Sequence, residues 1–172
     1  RSARPELAVI LNGELAGHVY QAGNRKLVFQ YADTWRSNAR AFPLSLCMPL
    51  DAAEHGHQAV SAYLWSLLPD DQSVINYWAR GFGVSRTNIV QLLTHVGEEC
   101  AGAVQLVPPD RTEHMLGAPV AGEESNSVHW LTIDDVAQRL TALRRNPAAG
   151  RAAKDRGQFS LAGAQPKTTL YR

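Results

Sequence analysis

The dipeptide Asn12-Gly13 lies between two apolar-rich runs, Leu7-Ala8-Val9-Ile10-Leu11 and Leu15-Ala16-Gly17-His18-Val19-Tyr20. A two-residue hairpin turn needs positive φ at both central positions, and Asn followed by Gly meets that need with little steric penalty. The chain is therefore committed to an antiparallel strand pair before any long-range contact forms. Gly23-Asn24 turns it again, into Lys26-Leu27-Val28-Phe29-Gln30-Tyr31, a β-rich third strand. These residues predict a meander of three antiparallel strands. Pro43-Leu44-Ser45-Leu46-Cys47-Met48-Pro49 alternates apolar and small residues between prolines, which predicts a short edge strand.

The period then changes from two to three and four. Val60, Tyr63, Leu64, Leu67 and Leu68 mark a helix that Pro69 stops. Asp70 or Asp71 caps the next helix, whose buried face is Val74, Ile75, Trp78, Ala79 and Phe82, with Gly81 and Gly83 at its end. Ile89, Leu92, Leu93 and Val96 line a third helix, closed by Gly97 as the left-handed residue after the last turn. Helical spacing assigns Trp65, Tyr77 and Trp78 mostly to packing rather than to a base-stacking surface.

Gly102-Ala103-Val104-Gln105-Leu106-Val107 returns to strand and ends at Pro108-Pro109. Residues 110–127 are rich in Pro, Gly, Ser and Glu and predict a surface loop with a short excursion. A further helix follows, with Thr132 as N-cap, Asp134 and Asp135 in its first turn, and an apolar stripe of Ile133, Val136, Leu140 and Leu143. Arg144 and Arg145 sit in its last turn, and Asn146-Pro147 ends it. Arg139, Arg144, Arg145, Arg151, Lys154 and Arg156 gather against the single acid Asp155. Such a cluster can touch phosphates or an acidic partner, or form a solvated helix end and linker. No helix-turn-helix or zinc-finger spacing accompanies it, so direct base reading is not expected, and any contact with DNA would run through a partner.

Seventeen basic against 16 acidic residues leave a net charge of +1, which gives no global attraction to nucleic acid. A hydrophobic content of 45% over 172 residues suffices for a real core, as one domain or one plus a small lobe. No apolar run approaches the ~20 residues that span a bilayer, and the first residues lack a signal-peptide pattern, so no membrane partner and a cytoplasmic location are expected. Cys47 and Cys100 have no metal-ligand spacing and are read as two buried, reduced thiols. His18 reads as a structural strand histidine. His55-Gly56-His57 has no third ligand nearby and reads as a loop rather than a metal site.

The last stretch carries the most chemistry: Phe159-Ser160-Leu161-Ala162-Gly163-Ala164-Gln165-Pro166-Lys167-Thr168-Thr169-Leu170-Tyr171. It reads as strand, small-residue loop, strand. Ala162, Gly163 and Ala164 leave backbone N–H groups open to a large anion, Lys167 adds a mobile cation and Thr168 a hydroxyl. The same string suits an ordinary β-hairpin loop, since it matches neither G-x-x-x-x-G-K-[ST] nor G-x-G-x-x-G.

The string SLAGAQPKT resembles the glycine-rich loop of the HipA family, serine/threonine protein kinases that act as toxins of bacterial toxin–antitoxin pairs. Leu64-Trp65-Ser66-Leu67-Leu68-Pro69 and His95-Val96-Gly97-Glu98-Glu99-Cys100-Ala101-Gly102-Ala103-Val104 resemble two further landmarks of that family, in the same order. The resemblance implies that Ala162, Gly163, Ala164, Gln165, Pro166 and Lys167 form the ATP-phosphate loop. It places Ser160 on a serine that family members autophosphorylate. Pro166 stands where some members carry Glu, and a proline fixes φ and removes a donor. The implied cofactors are ATP and Mg²⁺. The implied partners are a HipB-like DNA-binding antitoxin and a protein substrate such as an aminoacyl-tRNA synthetase, glutamyl-tRNA synthetase for example, with growth arrest as the result.

Phosphoryl transfer also needs a carboxylate that orients the substrate hydroxyl and ligands for Mg²⁺. In the family these lie well downstream of the glycine-rich loop, and this sequence has no H-R-D-like or D-F-G-like segment. No catalytic residue and no metal ligand is therefore expected within it. The expectation is an N-terminal portion of a kinase, inactive alone, or a non-catalytic docking or inhibitory module for a kinase core or an antitoxin. The expected fold is α/β (α+β-like): a small antiparallel sheet, open or barrel-like, with a helical cluster over residues 1–146. Residues 147–172 would supply a linker and the first β-hairpin of a kinase-like N-lobe.

Overall fold

The computed structural model describes residues 5–22, 25–98, 100, 104–117 and 131–145. Strand β1 (Pro5–Leu11) turns into β2 (Glu14–Gln21) through Asn12 and Gly13, at φ 50° and 78°. Both values lie in the left-handed region that the primed hairpin turn requires. Strand β3 (Leu27–Tyr31) pairs antiparallel with β2, completing the expected meander. Two more strands extend it: β4 (Glu54–His55) on β3, and β5 (Val104–Val107) antiparallel to β1. The result is a five-stranded sheet in the order β4-β3-β2-β1-β5, open among the described residues.

The helices are α1 (Asp33–Arg36), α2 (His57–Ser66), α3 (Gln72–Phe82), α4 (Ile89–Val96), α5 (Thr112–Gly117) and α6 (Ile133–Arg145), with a 3₁₀ turn at Pro109–Arg111. Their caps follow local chemistry. Asp71 accepts from Ser73 N at 2.7 Å and starts α3, Asn88 accepts from Gln91 N at 3.2 Å and starts α4. Hydrogen bonding from Ser73 also holds the Asp71 carboxyl below the usual carboxylate range. Gly83, at φ 69°, ends α3 in the left-handed conformation. At α6, Thr132 and Asp135 form a reciprocal box: Asp135 N donates to Thr132 Oγ1 at 3.1 Å and Thr132 N donates to Asp135 Oδ2 at 3.0 Å.

Strand side chains alternate between the two faces of the sheet. Leu7, Val9 and Leu11 of β1, Val19 of β2, and Leu27, Phe29 and Tyr31 of β3 meet Val60, Leu64, Ile75, Leu92, Leu93 and Val96 of the helices in one core. The reverse face buries Ala8, Ile10 and Val107, with Leu15 and Met115 packed on them. Gly17 sits where any Cβ would meet Gln30 O and the Phe29 ring, so the aromatic of β3 can approach the backbone of β2 only because that position is bare.

Several expectations are corrected. Residues 43–49 form turns rather than an edge strand. The Tyr31 hydroxyl accepts from Leu44 N at 2.8 Å and donates to Met48 O at 2.7 Å, taking the groups a ladder would need. Met48 is only 1% exposed and pegs the segment into the core, and the edge falls to Glu54 and His55 instead. Cys47 is exposed rather than buried, while Cys100 is buried as expected. Gly97 has φ −85°, so it is not left-handed. Its need for glycine is steric: a Cβ there would lie 2.5 Å from Leu93 O and 2.6 Å from Leu106 O. In α6 the stripe is broken, because Leu143 is buried while Ile133 is 88% exposed and Leu140 47%. In the loop expected over residues 110–127, the short excursion takes the form of the 3₁₀ turn and α5, and residues 118–127 lie outside the described residues.

Candidate functional site

The residues singled out for phosphate chemistry, Ala162, Gly163, Ala164, Gln165, Pro166 and Lys167, lie outside the described residues, as do Ser160 and the hairpin expected to carry them. The boundary expected at residue 146 falls there too. Of the basic cluster, Arg139, Arg144 and Arg145 lie on α6, whereas Arg151, Lys154 and Arg156 are outside. The other two landmarks are described in large part, and the structure gives each a physical task.

The first landmark closes α2. Leu64, Leu67 and Leu68 are 1%, 5% and 1% exposed, so the motif's leucines are core residues. Leu67 N and Leu68 N reach back to Leu64 O and Trp65 O at 3.2 and 3.1 Å, tightening the last turn before Pro69 forbids another. Ser66 Oγ donates to Tyr63 O at 2.7 Å. Trp65 is half-buried and packs against the core.

The second landmark carries the chain from α4 to β5. His95 stacks on Phe82, with ring centroids 4.5 Å apart and planes 15° from parallel, joining the ends of α3 and α4. Gly97 then lets the backbone pass close to β5, where Leu106 N donates to Gly97 O at 2.7 Å. Glu98 is buried and pairs with Arg111 of the 3₁₀ turn, so a charge drawn into the protein keeps its counter-charge. Cys100 N donates to Val104 O at 3.2 Å and its thiol contacts Gly97 O at 3.5 Å. Burial pushes the Cys100 thiol up to about 12, far from a reactive thiolate. Glu99 and residues 101–103 lie outside the described residues.

His55 and His57 are engaged structurally. His55, packed edge-on to the Tyr31 ring at 5.5 Å, contacts Pro49 O through Nε2 at 3.0 Å. The Nδ1 of His57 accepts from Leu27 N at 3.1 Å. No group of three or more His, Cys, Asp or Glu that could hold a metal occurs among the described residues. His18 is half-buried beside Tyr20, and burial lowers its pKa. No helix of the described residues is long and apolar enough to cross a membrane.

Sequence reasoning missed the loop between β3 and β4. Trp35 Nε1 donates to Phe42 O at 3.2 Å, and Arg36 donates to Leu50 O and Asp51 O at 3.1 and 3.3 Å. Together with Tyr31 these bonds fix residues 41–51. The available signal was Tyr31 itself: a tyrosine at a core-facing strand position needs partners for its hydroxyl. The burial of Glu98 against Arg111 had no comparable signal.

The described architecture has counterparts among known proteins. Residues 7–107 match the HipA N-terminal domain family. Y4mE of Sinorhizobium fredii, which bears a kinase name, is 29% identical over 164 residues, 95% of this chain and 37% of its own length. The serine/threonine-protein kinase toxin HipA of Shewanella oneidensis is 28% identical over 165 residues, 96% of this chain and 34% of its own length. The chain thus spans about a third of the length of the curated relatives it matches. Among solved structures, the Shewanella oneidensis MR-1 toxin–antitoxin complex of HipA, HipB and operator DNA superposes with a TM-score of 0.60. That match has 25% identity over 78% of this chain and 29% of the matched one. With its five-stranded sheet, its helical cluster and a family match over residues 7–107, the chain belongs to the HipA N-terminal domain family.

Proposed function

We propose that this chain is the N-terminal portion of an ATP-dependent serine/threonine kinase toxin of the HipA type. One observation carries the reading: the family-matched unit over 7–107 is followed in the same chain by Ser160-Leu161-Ala162-Gly163-Ala164-Gln165-Pro166-Lys167-Thr168. In this reading the backbone from Ala162 to Pro166 and the ammonium of Lys167 hold the nucleotide phosphates. Ser160 is the autophosphorylation site. The Mg²⁺ ligands and the carboxylate that orients the acceptor hydroxyl belong to the longer protein, downstream of Thr168. The partner is a HipB-like antitoxin that contacts DNA, and the substrate is a protein such as an aminoacyl-tRNA synthetase. The setting is the cytoplasm, and the consequence is growth arrest.

Phosphorylation of Ser160 adds about −1.5 to −2 charge and three acceptor oxygens. These compete with nucleotide for the loop N–H groups and for Lys167, which switches the kinase off. The test is Mg-ATP affinity of the longer protein, unmodified, with Lys167→Ala, with Ser160→Ala and stoichiometrically phosphorylated on Ser160. Lys167→Ala and phosphorylation weaken nucleotide binding at least tenfold, a loss of about 1.4 kcal/mol, and Ser160→Ala leaves it intact. Equal affinity in all four overturns the loop assignment.

A second reading, a docking or inhibitory module for a kinase core, draws support from the core that residues 7–106 close among themselves. Phosphotransfer by the longer protein separates the two: transfer to a protein serine supports the kinase, and none supports the module.

A further inference from the structure

We propose that His57 is a proton-sensitive clasp: its ring stands in for a strand residue at the end of β4, and uptake of a proton releases the first turn of α2 from β3. The clasp lies within the described residues and uses nothing from the nucleotide loop proposed above.

Backbone amides that face one neighbouring strand recur at every second residue. On the β4 side of β3, Tyr31 N donates to Ala53 O at 2.9 Å, and Phe29 lies opposite His55. Two residues further along each strand, the same register sets Leu27 opposite position 57. By then the chain has left the ladder. Gly56 is the N-cap of α2, at φ −85° and ψ 174°, and His57 is the first helical residue, so its carbonyl belongs to the helix. The side chain returns instead: Leu27 N donates to His57 Nδ1 at 3.1 Å, across 30 residues of sequence. Gly56 makes no side-chain cap, so the start of α2 is tied to the sheet through this ring.

A ring nitrogen accepts a hydrogen bond only while it carries no proton. In the neutral ring seen here, Nδ1 accepts and Nε2 carries the hydrogen. In the imidazolium both nitrogens donate, and Leu27 N then faces a second N–H. The new charge also lies in the first turn of α2, at the positive end of the helix. The charged and titratable groups on the elements that meet there are Arg25 and Lys26 just before β3 and Glu54 and His55 on β4, while the first turn of α2 has no acidic residue. His55 is turned towards Pro49 O and the Tyr31 ring. No carboxylate pairs with the His57 ring among the described residues, so no ion pair stands ready to replace the lost bond. His57 is exposed, and protons reach it freely.

The experiment follows hydrogen exchange in the full-length protein by mass spectrometry with residue-level fragmentation. Amide protection factors are compared between about pH 8 and pH 5, the range in which imidazole changes charge. Leu27 loses protection about three- to tenfold on acidification, the ratio expected for one hydrogen bond. The loss follows the titration of His57 read from exchange of its own Cε1 hydrogen. Tyr31, on the same strand edge but bonded to a carbonyl, keeps its protection. In His57→Asn, which has no ring to titrate, Leu27 protection no longer varies with pH. Constant Leu27 protection in the unsubstituted protein overturns the clasp. A pH response that persists in His57→Asn, or that Tyr31 shares to the same extent, also overturns it, since the loosening would then arise elsewhere.

Discussion

The amide of Leu106 donates to the carbonyl of Gly97 at 2.7 Å, and the two backbones lie so close that a Cβ on Gly97 would stand 2.6 Å from Leu106 O. The passage from α4 to β5 therefore depends on one missing methyl group. Gly97→Ala is expected to destabilise the protein by about 1–3 kcal/mol, because backbone atoms on both sides must move. For a chain of this size that lowers Tm by roughly 3–10 °C. Gly81 provides the contrast: nothing lies within 4 Å of its would-be Cβ, and it sits inside the exposed end of α3. Gly81→Ala is expected to raise stability by about 0.5–1 kcal/mol. Chemical denaturation of both variants checks the pair, and equal effects would contradict the steric account.

Cys100 and Tyr63 make the fold sensitive to alkali. Burial raises the thiol from 9.0 and the phenol from 10.0, each to about 12. Below about pH 8 both groups are protonated in folded and unfolded chains alike, so their contribution is constant. Above it the unfolded chain releases protons that the folded chain retains, and stability falls through the window from about 9 to 12, by up to ~1.4 kcal/mol per pH unit and group. Denaturant midpoints between pH 7 and 10.5 should decline accordingly, and the decline should soften in Cys100→Ala. The thiols report the same burial at pH 8: Cys47, exposed, reacts with a maleimide in the native protein, and Cys100 reacts only after unfolding.

Glu98 and Arg111 link the second landmark to the 3₁₀ turn. Arg111→Met removes the counter-charge from a carboxylate that is only 8% exposed, and an expected cost of about 1–3 kcal/mol follows from the charge left behind. Glu98→Gln combined with Arg111→Met should recover part of that loss, since no uncompensated charge remains. A double-mutant cycle measures the coupling, and simple additivity would show that the pair is no more than a surface contact.

Among the described residues, the main core draws on side chains from Leu7 to Leu106. A chain truncated after Asn146 is expected to keep a cooperative thermal transition. A truncated protein that unfolds or aggregates would place the terminal stretch inside the folding unit and shift the boundary.

What was legible in the sequence was local. Asn12-Gly13, an Asp cap at the start of α3, Gly83 and the Thr132 N-cap each act within a few residues of themselves, and each takes its expected role. The failures were long-range. Alternation across residues 43–49 looked like a strand, but Tyr31, 13 and 17 residues away, claimed the backbone groups. Gly97 looked like a left-handed cap because that is how glycine commonly follows a helix, yet its constraint comes from Leu106 across the sheet edge. The even stripe read into α6 failed because helical spacing says which residues share a face and not whether anything covers it. Of the candidate site, the motifs were readable as strings and in order. Only the structure shows that two of the three are spent on packing and chain reversal; the third lies outside the described residues.

Among the described residues, the sheet also ends unusually on both sides. β4 offers only Glu54 and His55, and along β5 the amides of Cys100 and Leu106 already bond with Val104 O and Gly97 O. β5 itself, Val104-Gln105-Leu106-Val107, has no charged residue and no proline, the usual deterrents against a neighbouring strand. Its defence is the fold of its own chain. A second molecule seeking to extend the sheet in register would first have to pull the Gly97 turn away, and with it Glu98, Cys100 and the end of α4. Resistance to fibril growth is thus tied to global stability, and a variant such as Gly97→Ala should aggregate as readily as it unfolds.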